Sequence, residues 1–196
     1  MSKRQTKTHK LAQAPQQVKL IAGRWRGTKL PVILQEGVRP TPSRVRETLF
    51  NWLQTRIEGS HCLDLFTGSG ALGFEAVSRG AAHATLVDND QKVVSLLSQQ
   101  VEKLDAQEIS LTCADALTYI QHCSAQFDII FLDPPFAKYQ PEEILHTLMD
   151  SECIKSGGLI YLEASPEKFP QTLPDTWQWQ RQLKAGQVEC GLMAAK

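Results

Sequence analysis

Residues Phe127–Phe136 read F-D-I-I-F-L-D-P-P-F, an apolar run that ends in an acid, two prolines and an aromatic residue. The run does not alternate between apolar and polar side chains, which predicts a strand buried on both faces of a sheet. Pro134 and Pro135 lack backbone N–H groups and disfavour helical geometry, so the strand is expected to end in a rigid, extended turn. The turn offers the carboxylate of Asp133, free carbonyl groups and the ring of Phe136, which suit a planar ring that carries an amino group. An ordinary Asp-Pro turn at a strand end is the alternative.

Strands and helices alternate regularly around this stretch, from residue 61 onward. The predicted strands are His61–Phe66, Ala84–Asp88, Ile109–Cys113, Phe127–Leu132 and Gly158–Glu163, and the predicted helices are Ala71–Arg79, Gln91–Leu104, Ala116–His122 and Glu142–Met149. Such alternation predicts an α/β fold with a parallel sheet covered by helices on both faces. Thr176–Leu183 and Gln187–Met193 are too close in sequence for a parallel crossover, and they are expected to form an antiparallel hairpin at the sheet edge.

A glycine-rich turn follows the first of these strands in Leu63–Gly73, which reads L-D-L-F-T-G-S-G-A-L-G. Gly68 and Gly70 permit a sharp turn and a close approach of the backbone to a ligand, and Gly73 allows the next helix to lie close to the strand. Asp88 ends the following strand about twenty residues on, where a carboxylate accepts hydrogen bonds from ribose hydroxyls. The spacing predicts a nucleoside cofactor.

Two further acids bear on whether that cofactor is NAD or S-adenosylmethionine. Asp64 precedes Gly68 by four residues, and an anion there disfavours a pyrophosphate but suits the ammonium group of a methionine moiety. Asp115 follows the third strand and can accept a hydrogen bond from the exocyclic amine of adenine. The alternatives are that Asp64 bonds only loop amides and that Asp115 only caps the next helix. They do not explain why Asp64, Asp88 and Asp115 all belong to the carboxyl edge of the sheet, where ligands of open α/β sheets bind.

Basic residues are concentrated in the N-terminal part, although the formal net charge is zero. The first 60 residues contain twelve of the 21 Lys and Arg residues but three of the 21 Asp and Glu residues. This asymmetry favours a polyanionic partner. Val18–Ala22 and Lys29–Ile33 are predicted strands, and the turn between them presents Arg24, Trp25 and Arg26, which are suited to phosphates and bases. A hairpin that packs its tryptophan inward is the alternative.

The segment 39–53 reads R-P-T-P-S-R-V-R-E-T-L-F-N-W-L and predicts a helix. Thr41 or Ser43 is expected to cap this helix, which should run to about Arg56. Arg39 and Arg46 are further candidate RNA contacts, and Thr41 and Arg39 are expected to border the cofactor.

The composition restricts the class of protein. No apolar run approaches the roughly 18 residues that span a bilayer, and the N-terminus leads into no apolar signal segment. The five cysteines are odd in number and contain no C-x-x-C pair, which argues against a disulfide framework or a zinc site. A reducing, cytoplasmic location is expected.

Four core motifs together resemble the class I S-adenosylmethionine-dependent methyltransferases: L-D-L-F-T-G-S-G at 63–70, V-D-N-D at 87–90, C-A-D-A at 113–116 and D-P-P-F at 133–136. D-P-P-F is similar to the motif of enzymes that methylate exocyclic amino groups of nucleic-acid bases. The N-terminal stretches 21–31, I-A-G-R-W-R-G-T-K-L-P, and 39–53 narrow the resemblance to the bacterial 16S rRNA (guanine-N2)-methyltransferase D family. The resemblance covers about residues 18–193.

The resemblance implies a Rossmann-like methyltransferase fold with a mostly parallel, seven-stranded sheet, a C-terminal antiparallel hairpin and a small N-terminal hairpin and helix. It implies S-adenosyl-L-methionine as the cofactor and the N2 amine of a guanine in 16S rRNA, within a partly assembled small ribosomal subunit, as the substrate. The expected division is a disordered basic tail at 1–17, an RNA-binding hairpin and helix at 18–60 and a catalytic domain at 61–196.

The expected site residues fall into three groups. Asp133 and the Pro134 carbonyl would each accept an N–H from the guanine amine and stabilise its developing positive charge, while Phe136 would stack on the base. The base must be flipped or unpaired to reach them. The expected cofactor-binding residues are Asp64, Phe66, Gly68, Gly70, Asp88, Asn89, Asp115 and Ala116, and the expected RNA-binding residues are Arg24, Trp25, Arg26, Arg39, Thr41 and Arg46. No metal site is expected. The protein is expected to be a monomer.

Two other classes of protein share parts of this pattern. An NAD-dependent oxidoreductase uses the same glycine turn but leaves D-P-P-F and the basic N-terminal part unexplained. A non-enzymatic RNA-binding protein that retains the fold does not require an intact D-P-P-F. DNA adenine methyltransferases share much of the site, and only the N-terminal stretches weigh against that substrate.

Overall fold

The computed structural model describes residues 17–33, 41–135 and 138–195 of the chain. Arg39 and Phe136, both expected to take part in binding or catalysis, lie outside the described residues. The strands are β1 (Gln17–Lys19), β2 (Lys29–Pro31), β3 (His61–Asp64), β4 (His83–Asp88), β5 (Ile109–Cys113), β6 (Phe127–Leu132), β7 (Ile154–Ala164), β8 (Trp177–Ala185) and β9 (Val188–Ala195). The helices are α1 (Ser43–Trp52), α2 (Ala71–Ser78), α3 (Gln91–Leu104), α4 (Ala116–His122) and α5 (Pro141–Met149).

The main sheet has seven strands in the order β5-β4-β3-β6-β7-β9-β8. β3 to β7 pair in parallel, whereas β9 is antiparallel to both β7 and β8. β1 and β2 form a separate antiparallel pair. These findings confirm the predicted fold class. The chain order reverses between β3 and β6, and a crevice at such a switch point is where ligands of open α/β sheets bind.

The apolar run of β6 is buried because its alternate side chains enter two different cores. Ile129 and Phe131 pack with α1, α2 and α3 on one face of the sheet. Ile130 and Leu132 pack with α4 and α5 on the other face. All four side chains are at most 1% exposed. Helices on both faces therefore account for the absence of polar alternation in this strand.

The N-terminal hairpin is fastened to α2 through two polar side chains. Glu75, which is fully buried, accepts hydrogen bonds from the backbone N–H groups of Ile21 (2.7 Å) and Ala22 (2.9 Å). Ser78 Oγ accepts from Trp25 N (3.0 Å) and donates to Ala22 O (2.6 Å). Gly23 has φ +78°, and a Cβ there would lie 1.7 Å from Ser78 O, so only glycine permits this contact.

The hairpin and α1 also share the apolar core of the sheet. Leu20 and Leu30 are fully buried in the same cluster as Phe74 and Phe131. The ring of Phe50 in α1 lies 6.0 Å from that of Phe131 in β6. The described parts of the chain before residue 60, 17–33 and 41–59, are thus packed against the main sheet.

Several element boundaries differ from the prediction. β1 ends at Lys19 and not at Ala22, β3 ends at Asp64 and not at Phe66, and the other differences of this size are at β2, β8 and β9. α1 ends at Trp52, short of Arg56, and turns occupy the residues that follow. Its N-cap is Pro42, with no side-chain capping bond, because Thr41 directs its hydroxyl to Asp133 instead. β7 begins at Ile154, so the Gly157-Gly158 turn lies within the strand as an irregularity between its paired segments.

Within the described ranges, no helix combines the length and the apolar character needed to cross a membrane.

Candidate active site

The carboxyl ends of β3, β4 and β6 bring three acids to one edge of the sheet. Asp64 ends β3, Asp88 ends β4 and Asp133 directly follows β6. Burial is the largest cause of the raised pKa of Asp64, and the charges of Asp133 and Asp88 raise it further, as expected for carboxyl groups that lie near one another. They line the crevice at the topological switch point.

Asp64 organises the glycine turn from below. It is 2% exposed, and its Oδ2 accepts hydrogen bonds from Thr67 Oγ1 (3.0 Å) and Gly73 N (3.1 Å). Burial, more than the neighbouring charges, raises the pKa of Asp64 to about 7. The alternative that Asp64 bonds to groups of the loop is therefore correct for Oδ2. Both of these hydrogen bonds are to Oδ2, and no described residue bonds to Oδ1, which leaves Oδ1 able to meet a ligand.

The glycines of the turn have different structural duties. Gly68 and Gly70 adopt φ +48° and +75°, in the left-handed region, and Gly70 is the N-cap of α2. A Cβ on Gly73 would lie 2.5 Å from Leu86 Cδ1, so the lack of a side chain lets α2 approach β4 closely, as expected. Near Gly68 a Cβ would meet only Phe66 O, at 3.9 Å, and this backbone is open to a ligand.

Asp88 ties the glycine turn to the end of β4. Its Oδ2 accepts from Gly68 N (3.0 Å) and its Oδ1 from Asp90 N (2.9 Å). Burial raises the pKa of Asp88, and the backbone hydrogen bonds oppose that shift. A carboxylate has about four lone-pair directions, so these backbone bonds do not use all the acceptor capacity of Asp88, and a hydroxyl donor can still be accepted. Asn89 lies between Asp88 and Asp90, directly after the end of β4.

Asp115 caps α4, as the structural alternative for this residue proposed. Its Oδ1 accepts from Leu117 N (3.1 Å) and Thr118 N (3.2 Å), and Ala116 is the buried first residue of the helix. Its Oδ2 accepts from the hydroxyl of Tyr139 at 2.6 Å. The tyrosine hydrogen bond is the largest effect on the pKa of Asp115, which it lowers.

Tyr139 is a residue that sequence reasoning missed. Its ring is 7% exposed and meets the ring of Phe66 edge to face, with the centroids 5.0 Å apart. The tyrosine thus connects the segment after the D-P-P-F turn to Phe66 and Asp115, two residues expected to hold the cofactor. An aromatic residue three positions after Phe136 is the signal that could have indicated it.

Asp133 is held by a residue far away in the sequence. Thr41 Oγ1 donates to Asp133 Oδ2 at 2.9 Å. Burial raises the pKa of Asp133 to about 6, and the threonine hydrogen bond opposes the shift. Pro135 O accepts from Lys138 N (2.9 Å), whereas Pro134 O has no hydrogen bond to any described residue. The turn therefore presents one carboxylate and one carbonyl acceptor side by side.

Glu163 is a second acid beside the turn that the sequence prediction omitted. It follows Leu162, which pairs with Leu132, so Glu163 stands in β7 opposite the start of the D-P-P-F turn. It is 3% exposed and accepts from the hydroxyl of Tyr161 at 2.9 Å. Burial first, and the charge of Asp133 second, raise the pKa of Glu163 well above its usual range. An acid that ends the apolar run of β7 was its signal in the sequence.

The N-terminal candidates are dispersed among three environments. Arg24 forms a bidentate ion pair with Glu108 (2.7 and 2.6 Å) and lies 4.1 Å above the indole of Trp25. That indole is half-buried, 6.0 Å from the ring of Phe74, so the tryptophan does pack inward. Arg26 is exposed, and Thr41 is buried at Asp133.

Arg46 was expected to contact RNA, but it does not lie on an open surface. It is 2% exposed, because α1 turns it toward the underside of the hairpin. Its Nη2 donates to Lys19 O (3.0 Å), and its Nη1 lies 3.9 Å from Glu75 Oε2. Burial lowers the pKa of Arg46, and the charge of Glu75 opposes this.

Among the residues that the structure describes, no cluster of three or more His, Cys, Asp or Glu side chains has a geometry that could hold a metal ion. The site is instead a crevice of carboxylates, backbone groups and aromatic rings. Asp64, Asp88 and Asp115 suit a ligand with an ammonium group, hydroxyls and an amine, and Asp133 with Pro134 suits a second amine.

Comparisons with known proteins agree on one family. The family model described as "Conserved hypothetical protein 95" matches residues 18–194. The chain is 42% identical over 172 residues to "Ribosomal RNA small subunit methyltransferase D" of Escherichia coli (strain K12), which covers 88% of this chain and 87% of the relative. It is 41% identical over 177 residues to the protein of the same name from Haemophilus influenzae, with 88% and 91% covered. The solved structure "Putative methyltransferase yhhF from Escherichia coli" superposes with a TM-score of 0.83 at 41% identity, covering 92% of this chain and 99% of that one.

Proposed function

Since the chain belongs to the ribosomal RNA small subunit methyltransferase D family, and is therefore a methyltransferase, we propose that it methylates the exocyclic N2 amine of a guanine in 16S rRNA. The methyl donor in this proposal is S-adenosyl-L-methionine. The relatives' names supply ribosomal RNA of the small subunit as the substrate class. The amino group as the acceptor is argued from the site itself.

The observation that carries the proposal is the pair of acceptors at the end of β6. Asp133 and the Pro134 carbonyl stand next to each other on a turn that its prolines make rigid. Thr41 fixes the carboxylate from the opposite side through the 2.9 Å hydrogen bond. Two adjacent acceptors on a rigid support match the two N–H groups of an exocyclic amine.

The crevice residues fit the proposed cofactor. Asp88 is to accept from the ribose hydroxyls, Asp64 is to face the ammonium group, and Asp115 with Ala116 is to meet the adenine amine. Asp115 holds Tyr139 at 2.6 Å, and Phe66 lies against that tyrosine, so an adenine that bonds to Asp115 would lie beside these two aromatic rings. When bound, S-adenosylmethionine supplies an electrophilic methyl group attached to a sulfonium.

The chain's own residues act on the amine. The guanine nitrogen is a weak nucleophile because its lone pair is delocalised into the ring. When Asp133 and Pro134 O accept its two N–H groups, they favour a pyramidal nitrogen and stabilise the positive charge that develops on it. The extra proton of the methylated amine is acidic and leaves without a strong base. Phe136 is proposed to stack on the flipped base.

The N-terminal hairpin and α1, within the proposed unit 18–60, are to hold the RNA. Arg26 is exposed for this role, and Arg24, Trp25, Arg39 and Thr41 remain proposed contacts. A cytoplasmic monomer acting on a partly assembled small subunit is the form proposed.

The test is methyl transfer from labelled S-adenosylmethionine to three substrates: small-subunit particles that lack the modification, free 16S rRNA and DNA. Digestion to nucleosides should yield N2-methylguanosine from the particles, with less from free rRNA and no methylated adenine from DNA. A product methylated at another atom would refute the proposed N2 specificity. Methyl transfer to DNA would show that the substrate belongs to another class of nucleic acid.

A further inference from the structure

A groove of about 600 Å³ opens between β1 and the first turn of α1. The residues that line it include Lys19, Arg26, Thr41, Ser43 and Arg46. Thr41 is also the residue that donates to Asp133. The groove and the D-P-P-F turn therefore share a residue, Thr41, so a ligand in the groove lies near the proposed amine acceptor.

The guanidinium of Arg46 is buried in the wall of this groove with unused donors. Although only 2% of the residue is exposed, neither Nε nor Nη1 has a hydrogen-bond partner in the described part of the chain. The remaining nitrogen, Nη2, donates to Lys19 O. A buried donor without a hydrogen-bond partner is costly. An acceptor that enters the groove and draws the guanidinium toward it would therefore satisfy donors that the described chain leaves unused.

The charge around Arg46 is not balanced by its acidic neighbour. Glu75 accepts a 2.7 Å hydrogen bond from Arg79 Nε and two more from backbone N–H groups, whereas its distance to Arg46 Nη1 is 3.9 Å. Two guanidinium groups thus face one carboxylate. The buried cluster carries a net positive charge, and Lys19 and Arg26 add to it on the exposed side of the groove.

The first turn of α1 adds backbone donors in the same place. The helix has no side-chain cap and no acid in its first turn. The N–H groups of Val45 and Arg46 bond to Pro42 O, while those of Ser43 and Arg44 have no partner among the residues described. Free N–H groups and the helix dipole favour an anion at such an end.

We propose that this groove binds a backbone phosphate of the RNA, one that flanks the nucleotide whose amine enters the D-P-P-F turn. The inference rests on the proposed function and assigns one phosphate of the RNA substrate to the groove between β1 and α1. In this proposal the guanidinium of Arg46 turns toward the phosphate and donates to it together with the amides of α1. Lys19 and Arg26, two further basic residues of the lining, add positive charge for the adjoining backbone. The position beside Thr41 couples phosphate binding to placement of the base.

Ser43 allows a test that leaves the buried arginine intact. Ser43→Glu places a carboxylate at the exposed first turn of α1, where it suits the helix dipole but repels a phosphate. Its affinity for small-subunit particles should fall at least about tenfold relative to the isosteric Ser43→Gln, with no decrease in melting temperature. Asn51→Glu, which adds the same charge to an exposed position later in α1, should bind like the wild type. Equal affinity of the two Ser43 variants overturns the proposal.

The carboxylate of the methionine moiety is the other anion that could reach this helix end. Calorimetry with S-adenosylhomocysteine separates the two. Unchanged affinity of Ser43→Glu for S-adenosylhomocysteine, combined with weakened RNA binding, supports the phosphate, whereas weakened cofactor binding with intact RNA binding overturns it.

A second pair of variants reads the number of phosphate contacts. Arg26→Ala should reduce the slope of log affinity against log salt by about one, and Lys29→Ala, an exposed lysine of the same hairpin outside the groove, should leave it unchanged. Equal slopes for both would overturn the assignment. Binding is measured without methyl transfer, so a wild-type chain that binds particles through Ser43 and Arg26 but transfers no methyl group refutes the proposed function and not the groove.

Discussion

Different factors determine where the charged side chains lie at the carboxyl edge of the sheet and in the described part of the N-terminal segment, 17–33 and 41–60. At the edge, Asp64, Asp88 and Asp133 come together because parallel strands end at the same side of a sheet. In the N-terminal segment, Arg24 and Arg46 meet acids that are distant in the sequence, Glu108 and Glu75. Local pattern and topology therefore place the acids, whereas tertiary partners decide which arginines are available to a ligand.

The largest effect is expected in the N-terminal segment, where Glu75 of α2 holds the hairpin. Glu75→Gln keeps the shape of the side chain but leaves Arg46 and Arg79 without a buried counter-charge. We expect the free energy of unfolding to fall by about 3–5 kcal/mol, as measured by urea denaturation. Glu47→Gln, an exposed acid of α1, is the matched control and should stay within about 0.5 kcal/mol. A Glu75→Gln protein as stable as the wild type would mean that the hairpin does not depend on this ion pair.

The next effect belongs to the edge of the sheet. Asp133→Ala removes the carboxylate acceptor and should lower methyl transfer by about 10²- to 10³-fold. Binding of S-adenosylhomocysteine, followed by calorimetry, should change little, because Asp133 is assigned to the amine. An active Asp133→Ala enzyme contradicts that assignment, and a loss of cofactor affinity would move Asp133 to the cofactor half of the site.

Asp88 should show the opposite pattern. Asp88→Ala removes the proposed ribose acceptor together with its bond to Gly68 N. The affinity for S-adenosylhomocysteine is expected to decrease by about 10- to 100-fold, which corresponds to the loss of a hydrogen bond to a charged group. Asp175→Ala, an exposed acid remote from the crevice, serves as the control. Unaltered affinity of Asp88→Ala would assign this acid to the glycine turn alone.

The residues that could and could not be predicted follow the same division. The alternation of strands and helices, the C-terminal hairpin and the close approach of Gly73 were predictable, since each depends on spacing along the chain. Glu163 and Tyr139 were missed because their roles come from contacts with Asp133 and Asp115, which no local pattern encodes.

The exposed charge of the N-terminal part was overestimated for a related reason. Arg46 belongs to a helix whose buried face is set by Val45, Leu49 and Phe50, and helical spacing carries its side chain under the hairpin. Its partner Glu75 was itself unremarkable in the sequence, as part of an otherwise apolar helix. An acid in an apolar helix was the signal that a buried cation lay opposite.

Thr41 links the two regions and should be visible in the pH profile. Asp133 must be ionised to accept the amine, and burial raises its pKa to about 6, so methyl transfer should fall as the pH decreases through about 6. The hydrogen bond from Thr41 lowers this pKa. Thr41→Val should therefore move the acidic limb of kcat/KM to higher pH, by about one unit. Thr48→Val, in the body of α1, is the control, and an unshifted limb would show that Thr41 does not set the ionisation of Asp133.

The smallest effect concerns Arg24, whose ion pair with Glu108 lies at the surface, with 44% and 35% of the side chains exposed. Breaking the pair by Arg24→Ala should change the free energy of unfolding by about 0.2–1 kcal/mol. A contact between Arg24 and RNA is better tested by substituting Glu108, because Glu108 competes with phosphate for the same guanidinium. If Arg24 contacts RNA, Glu108→Ala frees it and tightens particle binding, and this gain disappears in the double variant. A gain that persists without Arg24 would instead report the removal of an acid from the RNA-binding face, and the arginine would then serve only to hold the hairpin turn against Trp25.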